Sequence, residues 1–248
     1  MRFPILMLSV IATALAPTVA LAQQNEPDPK LTEVWQPVPR LVTPGLGNAP
    51  PSDAIVLFSG KDLSQWEQTD GTPAKWKVED GAFTVVKGTG NLRTKRAFGD
   101  CQLHIEWRTP KKVEGESQER GNSGVFLQGR YEVQVLDSWD NRTFSNGQAA
   151  SIYKQYIPLV NASLRPGEWQ TYDIFYRAPH FADDGTVTTP AYITVVQNGV
   201  LVQDHVEIRG GTVNSGFPVY KKHNPTESLV LQDHSFPVSY RNIWIREL

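Results

Sequence analysis

Carboxyl and amide side chains recur at short spacing near the middle of the chain. Glu132, Gln134 and Asp137 occur in the segment 131–137, where apolar residues alternate with Glu132 and Gln134. This period of two predicts a strand over 131–136 with one apolar and one polar face. Asp137 follows at the strand end, so we expect it at the rim of a cleft, with Glu132 and Gln134 on the face of the sheet, where such side chains are suited to proton transfer and hydrogen bonding.

A second segment with the same period, 102–108, has a charged face. His104, Glu106 and Arg108 alternate there with apolar residues. If this face joins that of the 131–136 strand, one sheet presents histidine, glutamate, arginine and glutamine side chains together, a set that suits binding to sugar hydroxyls. A solvent-facing sheet has the same pattern and stays open as the alternative.

A histidine follows a third predicted strand. The strand expected over 228–231 runs directly into Gln232, Asp233 and His234. An imidazole titrates near neutral pH, so we choose His234 as a general acid or base, oriented by Asp233 or by another carboxylate. The alternative is a histidine that is merely hydrogen-bonded at a strand end.

Metal and cofactor motifs are sparse. The histidines have no metal-ligand spacing, and no nucleophile elbow, phosphate loop or dinucleotide fingerprint occurs. Asp137, Asp140 and Asn141 could bind Ca²⁺ through oxygen atoms, but they lack the order of an EF-hand loop, and turn capping is the alternative. Metal ligands are therefore unknown and no cofactor is certain, although a divalent cation such as calcium stays open.

Composition and the N-terminus indicate an exported globular protein. The chain has 248 residues, 40% hydrophobic and 20% charged, with a formal net charge of −2, so there is no electrostatic case for binding nucleic acid. Residues 1–22 have the pattern of an export signal, with Arg2, an apolar run, and a cleavage site near Ala22. The run is too short for a membrane span. We therefore expect a periplasmic or secreted protein with no membrane insertion.

Prolines and short strands organise the rest of the chain. Residues 23–53 are proline-rich and are predicted to be an N-terminal arm or linker, and residues 54–248 a single domain. Hairpins are predicted at Asp80-Gly81 and at Asn198-Gly199, since these dipeptides suit two-residue turns. Many short strands without a helical period predict an all-β fold, a two-sheet antiparallel β-sandwich of the jelly-roll type.

Several of these segments resemble one protein family. The motifs that carry the resemblance span 57–66, 98–107, 122–127, 131–137, 231–234 and 241–243. Over about 54–248 they are similar to the 3-keto-disaccharide hydrolase family. The resemblance implies the concanavalin A-like jelly roll that lectins and glucanases share.

The same strand allows a comparison with related glucanases. In laminarinase-type glucanases the active strand reads Glu-x-Asp-x-x-Glu, and Glu132-x-Gln134-x-x-Asp137 is similar to it. Gln134 stands in place of an aspartate, which argues against cleavage by double displacement. Strict alternation also places Asp137 on the face opposite to Glu132, so both reach one cleft only if a bulge intervenes.

The family name implies a different reaction, cleavage of a 3-keto-glycoside. A base removes the proton on C2, the C1 leaving group is eliminated, and addition of water gives net hydrolysis. On this basis His234 or Asp137 is the expected base and Glu132 the acid, while Arg120, Arg130 or a divalent ion stabilises the enolate. The further residues expected to bind substrate, by hydrogen bonds or ring stacking, are Gln134, Glu106, Asn122, Trp139, Tyr153 and Gln232.

The expected partners are an oxidised oligosaccharide or glycoside as substrate and, functionally, a sugar 3-dehydrogenase that supplies it. Three alternatives stay open from the sequence. They are a non-catalytic carbohydrate-binding module, a conventional β-glucanase that uses Glu132 and Asp137, and a structural cell-surface domain.

Overall fold

The computed structural model describes residues 27–248. The export signal predicted over 1–22 lies outside the described residues. In the described part of the chain, no helix has the length and apolar character needed to cross a membrane.

Contacts divide the chain between Leu41 and Val42 into a short and a large unit. The short unit contains a 3-10 helix, Pro29–Thr32, capped by the carboxylate of Asp28. The large unit begins inside the predicted 23–53 arm and contains all of the strands found in the described residues.

Fifteen strands in the described residues build the large unit. In chain order they are β1 (Ile55–Phe58), β2 (Trp66–Gln68), β3 (Lys77–Glu79), β4 (Ala82–Thr84), β5 (Leu92–Phe98), β6 (Cys101–Arg108), β7 (Ser123–Leu127), β8 (Tyr131–Val135), β9 (Gln170–Arg177), β10 (His180–Phe181), β11 (Val187–Thr189), β12 (Tyr192–Gln197), β13 (Val200–Glu207), β14 (Glu227–Leu231) and β15 (Ser239–Glu247). Short 3-10 turns lie at Ser117–Glu119 and Ser145–Gly147.

The strands form two antiparallel sheets and a small ribbon. The large sheet has the order β13-β12-β9-β6-β15-β4-β3, with β1 also paired to β15. The small sheet has the order β2-β5-β14-β7-β8, and β10 pairs with β11 separately. This confirms the predicted all-β jelly roll built from two antiparallel sheets.

Turn chemistry explains the tight connections. Asp80 and Gly81 adopt φ values of 51° and 74°, and Asn198 and Gly199 adopt 52° and 79°. These left-handed conformations match the right-handed twist of the flanking strands in two-residue hairpins. The two predicted hairpins, β3–β4 and β12–β13, are therefore confirmed.

The hydrophobic core lies between the two sheets. β6 contributes Leu103 and Ile105, and β8 contributes Val133 and Val135, all of them fully buried. Because side chains alternate along a strand, the polar residues between them point away from the core. Each sheet therefore has an outer face with its own polar residues.

Three buried tyrosines of the large sheet donate hydrogen bonds across this core to the small sheet. Their acceptors are the backbone carbonyl of Gln134 for Tyr172 (2.7 Å), the hydroxyl of Ser123 for Tyr240 (2.7 Å), and the side-chain carbonyl of Gln128 for Tyr176 (2.8 Å). A buried hydroxyl without a partner costs free energy, so these bonds favour one position of β7 and β8 on the core.

The expected union of two polar strand faces is wrong. β6 lies in the large sheet and β8 at the edge of the small sheet, so His104 and Glu106 do not share a face with Glu132. His104 and Glu106 lie on the outer face of the large sheet, because Leu103 and Ile105 point into the core. Alternation gives the face of each strand, but pairing between distant strands decides the sheet.

We expect Tyr172→Phe to lower the free energy of unfolding by about 1–2 kcal/mol, because it removes a buried hydrogen bond and keeps the ring. Tyr192→Phe is the matched control, since the Tyr192 hydroxyl bonds to Glu207 at the surface, and it should change stability by less than about 0.5 kcal/mol. Urea unfolding measures both. Equal losses in the two variants would contradict a special role for the bond across the core.

Candidate functional site

The candidate site lies on the outer face of the small sheet. In β8, Val133 points into the core, so its neighbours Glu132 and Gln134 point outward. Gly124 of β7 pairs with Gln134. The chain after β14 joins them, because the backbone N–H of Gln232 donates to the carbonyl of Gly124 at 3.1 Å.

These elements surround a cavity of about 310 Å³. The volume is at the lower end of the range found for small-molecule sites. Its lining residues are Asn122, Phe126, Glu132, Gln134, Tyr153, Thr212, Asn214, Gln232 and His234. The structure thus brings together six of the residues singled out in the sequence, from four separate segments of the chain.

Glu132 is the acidic side chain of this cavity. It is only 4% exposed, and its carboxyl makes no hydrogen bond or ion pair with the described residues. Burial without a partner disfavours the charged form. It raises the pKa of Glu132 to about 8, so the carboxyl is mostly protonated at neutral pH.

Gly124 leaves the space that the Glu132 carboxyl occupies. A Cβ atom at position 124 would lie 2.6 Å from Oε1 of Glu132 and 2.7 Å from the ring of Phe126. Any side chain here would displace the carboxyl. The requirement comes from the neighbouring strand, so nothing local in the sequence around Gly124 indicated it.

Gln134 is held by a network that the sequence did not reveal. Its amide nitrogen donates to Oε1 of Gln118 at 2.9 Å, and its amide oxygen accepts from the N–H of Val135 at 3.2 Å. Gln118 in turn donates to the carbonyl of Gly147 at 3.0 Å and accepts from the side chain of Asn122 at 2.8 Å. Gln134 therefore fixes the loops beside the cavity.

His234 lies in the cavity wall with an unused nitrogen. Its Nδ1 atom is buried and has no hydrogen-bond partner in the described residues, and its ring stacks on Phe236 at 6.0 Å between centroids. The expectation that Asp233 orients this ring is wrong. The Asp233 carboxylate instead accepts from the backbone N–H groups of Gly90 and Ser235, because it caps the turn there.

Asp137 does not line this cavity. Its carboxylate accepts from Nε of Arg120 at 2.6 Å, and the other two guanidinium nitrogens of Arg120 donate to the carbonyls of Trp139 and Asp140. Burial raises the pKa of Asp137 and outweighs the lowering effect of Arg120. Asp137 and Arg120 line a separate cavity, together with Phe236. No bulge brings Asp137 beside Glu132. The alternation of side chains along the strand therefore keeps Asp137 off the face that carries Glu132.

Three other predicted residues also lie elsewhere. Trp139 is 41% exposed and lies under the guanidinium of Arg165. Arg130 lines a neighbouring cavity. Glu106 is buried on the large sheet, where bonds from Asn242, Arg241 and Asn48 outweigh the effect of burial and lower its pKa.

Tyr153 stands beside Glu132. Burial raises the pKa of its hydroxyl, and the charge of Glu132 raises it further. The backbone N–H of Tyr153 donates to the carbonyl of Glu132 at 3.2 Å. Tyr153 is therefore a neutral hydrogen-bond donor at the cavity.

Two of the three proposed oxygen ligands for calcium, Asp137 and Asn141, have other partners. The Asn141 side chain bonds to the backbone of Ser117 and to the carbonyl of Asp137, as in a capped turn. Within residues 27–248, no group of three His, Cys, Asp or Glu side chains is arranged to hold a metal ion.

Phe126, Thr212 and Asn214 were missed as site residues. Thr212 and Asn214 belong to the long connection 209–226, whose length is a signal for a cleft wall. The hydroxyl of Thr212 accepts from the backbone N–H of Glu132 at 3.0 Å, so this connection contacts the outer edge of β8, which also bonds to residues 150–153. The contact joins residues 80 positions apart, and the sequence pattern does not encode it.

Comparison with known proteins shows the family to which this chain belongs. This chain is similar to a crystal structure from Parabacteroides distasonis ATCC 8503 that is provisionally described as a glycosyl hydrolase. The two sequences are 55% identical, and the match covers 89% of this chain and 97% of that chain, with a TM-score of 0.86. The family model described as the 3-keto-alpha-glucoside-1,2-lyase-like domain matches residues 53–246. The chain therefore belongs to this family, among the carbohydrate-active enzymes.

Two further structures from the same organism carry the same description. They are 22% and 20% identical, each match covers 79% of this chain, and 94% and 99% of those chains are covered. Their TM-scores are 0.59 and 0.55, so they support the fold alone. A comparison with curated proteins finds no match.

We expect Glu132→Gln to stabilise the protein more at pH 8 than at pH 5. The unfolded carboxyl loses its proton near the ordinary pKa of 4.5, whereas the folded one keeps it up to about pH 8. Wild-type stability therefore falls as pH rises through this window, and glutamine removes that dependence. In urea unfolding, the difference between variant and wild type should grow by about 2–4 kcal/mol.

Glu106→Gln is the control of opposite sign. The folded pKa of Glu106 is lowered, so its ionised form contributes stability above the ordinary pKa, and this is lost at acid pH. The variant should be less stable than wild type at both pH values. A pH-independent effect of Glu132→Gln would mean that Glu132 is ionised in the folded protein.

Proposed function

We propose that this protein cleaves 3-keto-α-glucosides by elimination across C1 and C2. The observation that carries the proposal is a single cavity that combines a buried carboxyl of raised pKa, Glu132, with the imidazole of His234. A carboxyl that keeps its proton and an imidazole in one cavity are groups of the two kinds that general acid–base catalysis needs. The family description agrees with this chemistry.

His234 is the proposed base. A ketone at C3 acidifies the proton on C2, and removal of that proton places the negative charge on the C3 oxygen as an enolate. The unpartnered Nδ1 of His234 leaves the imidazole without a competing bond in the described residues. Asp137, the other candidate, is engaged by Arg120 and lines a different cavity.

Glu132 is the proposed acid. The enolate collapses to form the C1–C2 double bond, and the C1–O bond breaks with its electron pair on the leaving oxygen. A protonated Glu132 donates to that oxygen, which a carboxyl of pKa about 8 can do at neutral pH. Addition of water to C1 of the enone then completes net hydrolysis.

The enolate oxygen needs hydrogen-bond donors in the cavity. Arg120 is fully engaged outside it, and Arg130 lines the neighbouring cavity. Tyr153, protonated through its raised pKa, and the amide of Gln232 are the proposed donors. These donors are neutral. They can therefore stabilise the negative charge that develops on the enolate oxygen without bringing a cation that would offset the raised pKa of Glu132.

Double displacement is less well supported. It needs a second carboxylate about 5 Å from the first, and among the described residues that line the cavity Glu132 is the only carboxyl. Gln134 is tied to Gln118. The proposal also includes export by residues 1–22 and a sugar 3-dehydrogenase as supplier of the substrate ketone.

We expect the purified protein to release the aglycone from a 3-keto-α-glucoside and to leave the unoxidised α-glucoside and a β-glucan intact. His234→Gln and Glu132→Gln should each lower kcat by a factor of about 10²–10⁴, since each removes one proton-transfer group. Deuterium placed at C2 should appear in solvent, because the base removes it before the leaving group departs.

Glu106→Gln, on the other sheet, is the control for folding and should keep its kcat. Release from the β-glucan would favour the glucanase alternative, and ligand binding without turnover of any glycoside would favour the binding module. Loss of activity in the presence of a chelator would show that the reaction requires a divalent cation.

A further inference from the structure

A second cavity adjoins the Glu132 cavity. It measures about 270 Å³, and its lining residues are Phe126, Gly129, Arg130, Tyr131, Gly211, Thr212, Val213, Val219 and Lys221. Phe126 and Thr212 line both cavities. The two spaces are therefore neighbours that share part of their walls.

Thr212 connects the two spaces along the edge of β8. Its hydroxyl accepts from the N–H of Glu132 at 3.0 Å, and its own N–H donates to the carbonyl of Arg130 at 2.8 Å. The preceding glycines are packed on Val219, since the N–H of Gly211 donates to the carbonyl of Val219 and a Cβ at Gly210 would overlap its backbone. This wall is a built surface and is tied to the strand that carries Glu132.

Two cations of the second cavity are unpaired within the part of the chain that the structure describes. The side chains of Arg130 and Lys221 are exposed and make no hydrogen bond or ion pair with the described residues. No carboxylate occurs among the described residues that line the cavity. The adjacent Lys222, by contrast, is bound by Asp183.

We propose that this second cavity binds a carboxylate-bearing leaving group of the glycoside. The inference rests on the proposed function, in which the Glu132 cavity holds the sugar that is cleaved. The ring of Phe126, shared by both spaces, provides an apolar surface next to the scissile bond. Beyond it, the guanidinium of Arg130 suits bidentate binding of a carboxylate, and Lys221 adds a second positive charge.

The test compares two ligands that differ by one charge, the 4-carboxyphenyl and the 4-carbamoylphenyl 3-keto-α-glucosides. Calorimetry at low ionic strength measures their binding to the Glu132→Gln protein, in which turnover is suppressed. The carboxylate should bind at least about fivefold more tightly than the amide. Salt should reduce this preference, because the cations are exposed.

The preference should fall to near one when Arg130→Gln and Lys221→Gln are combined in the same background, and Lys222→Gln should leave it unchanged. Equal binding of the two ligands, an unchanged preference in the double variant, or no binding of the carboxylate would each overturn the proposal. Absence of turnover by the wild-type protein would instead refute the proposed reaction, because the binding ratio is measured without turnover.

Discussion

The structure of the site depends on one constraint, the burial of the Glu132 carboxyl without a hydrogen bond or ion pair to the described residues. An ionised carboxylate in such a place is costly, so the side chain holds its proton at neutral pH. Gly124 leaves the space for it. The tyrosine bonds across the core hold β7 and β8, which carry both residues, at a defined position on the large sheet.

The two outer faces of the sandwich shift the pKa of a glutamate in opposite directions. On the large sheet, Glu106 is surrounded by Arg241, Asn242 and Asn48, and its pKa is lowered. On the small sheet, Glu132 has no such partner among residues 27–248, and its pKa is raised. A satisfied carboxylate stabilises the fold, whereas an unsatisfied carboxyl in a cavity is available for chemistry. This contrast supports the choice of the outer face of the small sheet as the proposed site.

The sequence predicted much of the fold because turn residues and alternation act locally. It predicted the hairpins at Asp80-Gly81 and Asn198-Gly199, and the outward direction of Glu132 and Gln134. It missed β5 (Leu92–Phe98) because three cations, one of them bound to Glu67, obscure the apolar period of this strand. It misplaced Glu106 because the pairing of distant strands decides the sheet, a property that no single segment encodes.

The ionisation state of Glu132 decides whether this carboxyl can act as an acid. A ¹³C NMR titration of glutamate-labelled protein, with the signal assigned by its absence in Glu132→Gln, follows this carboxyl alone. We predict a midpoint near pH 8, with the carboxyl mostly protonated at neutral pH. A midpoint near the ordinary value of 4.5 would contradict it, because Glu132 would then be a carboxylate with no proton to donate to a leaving group.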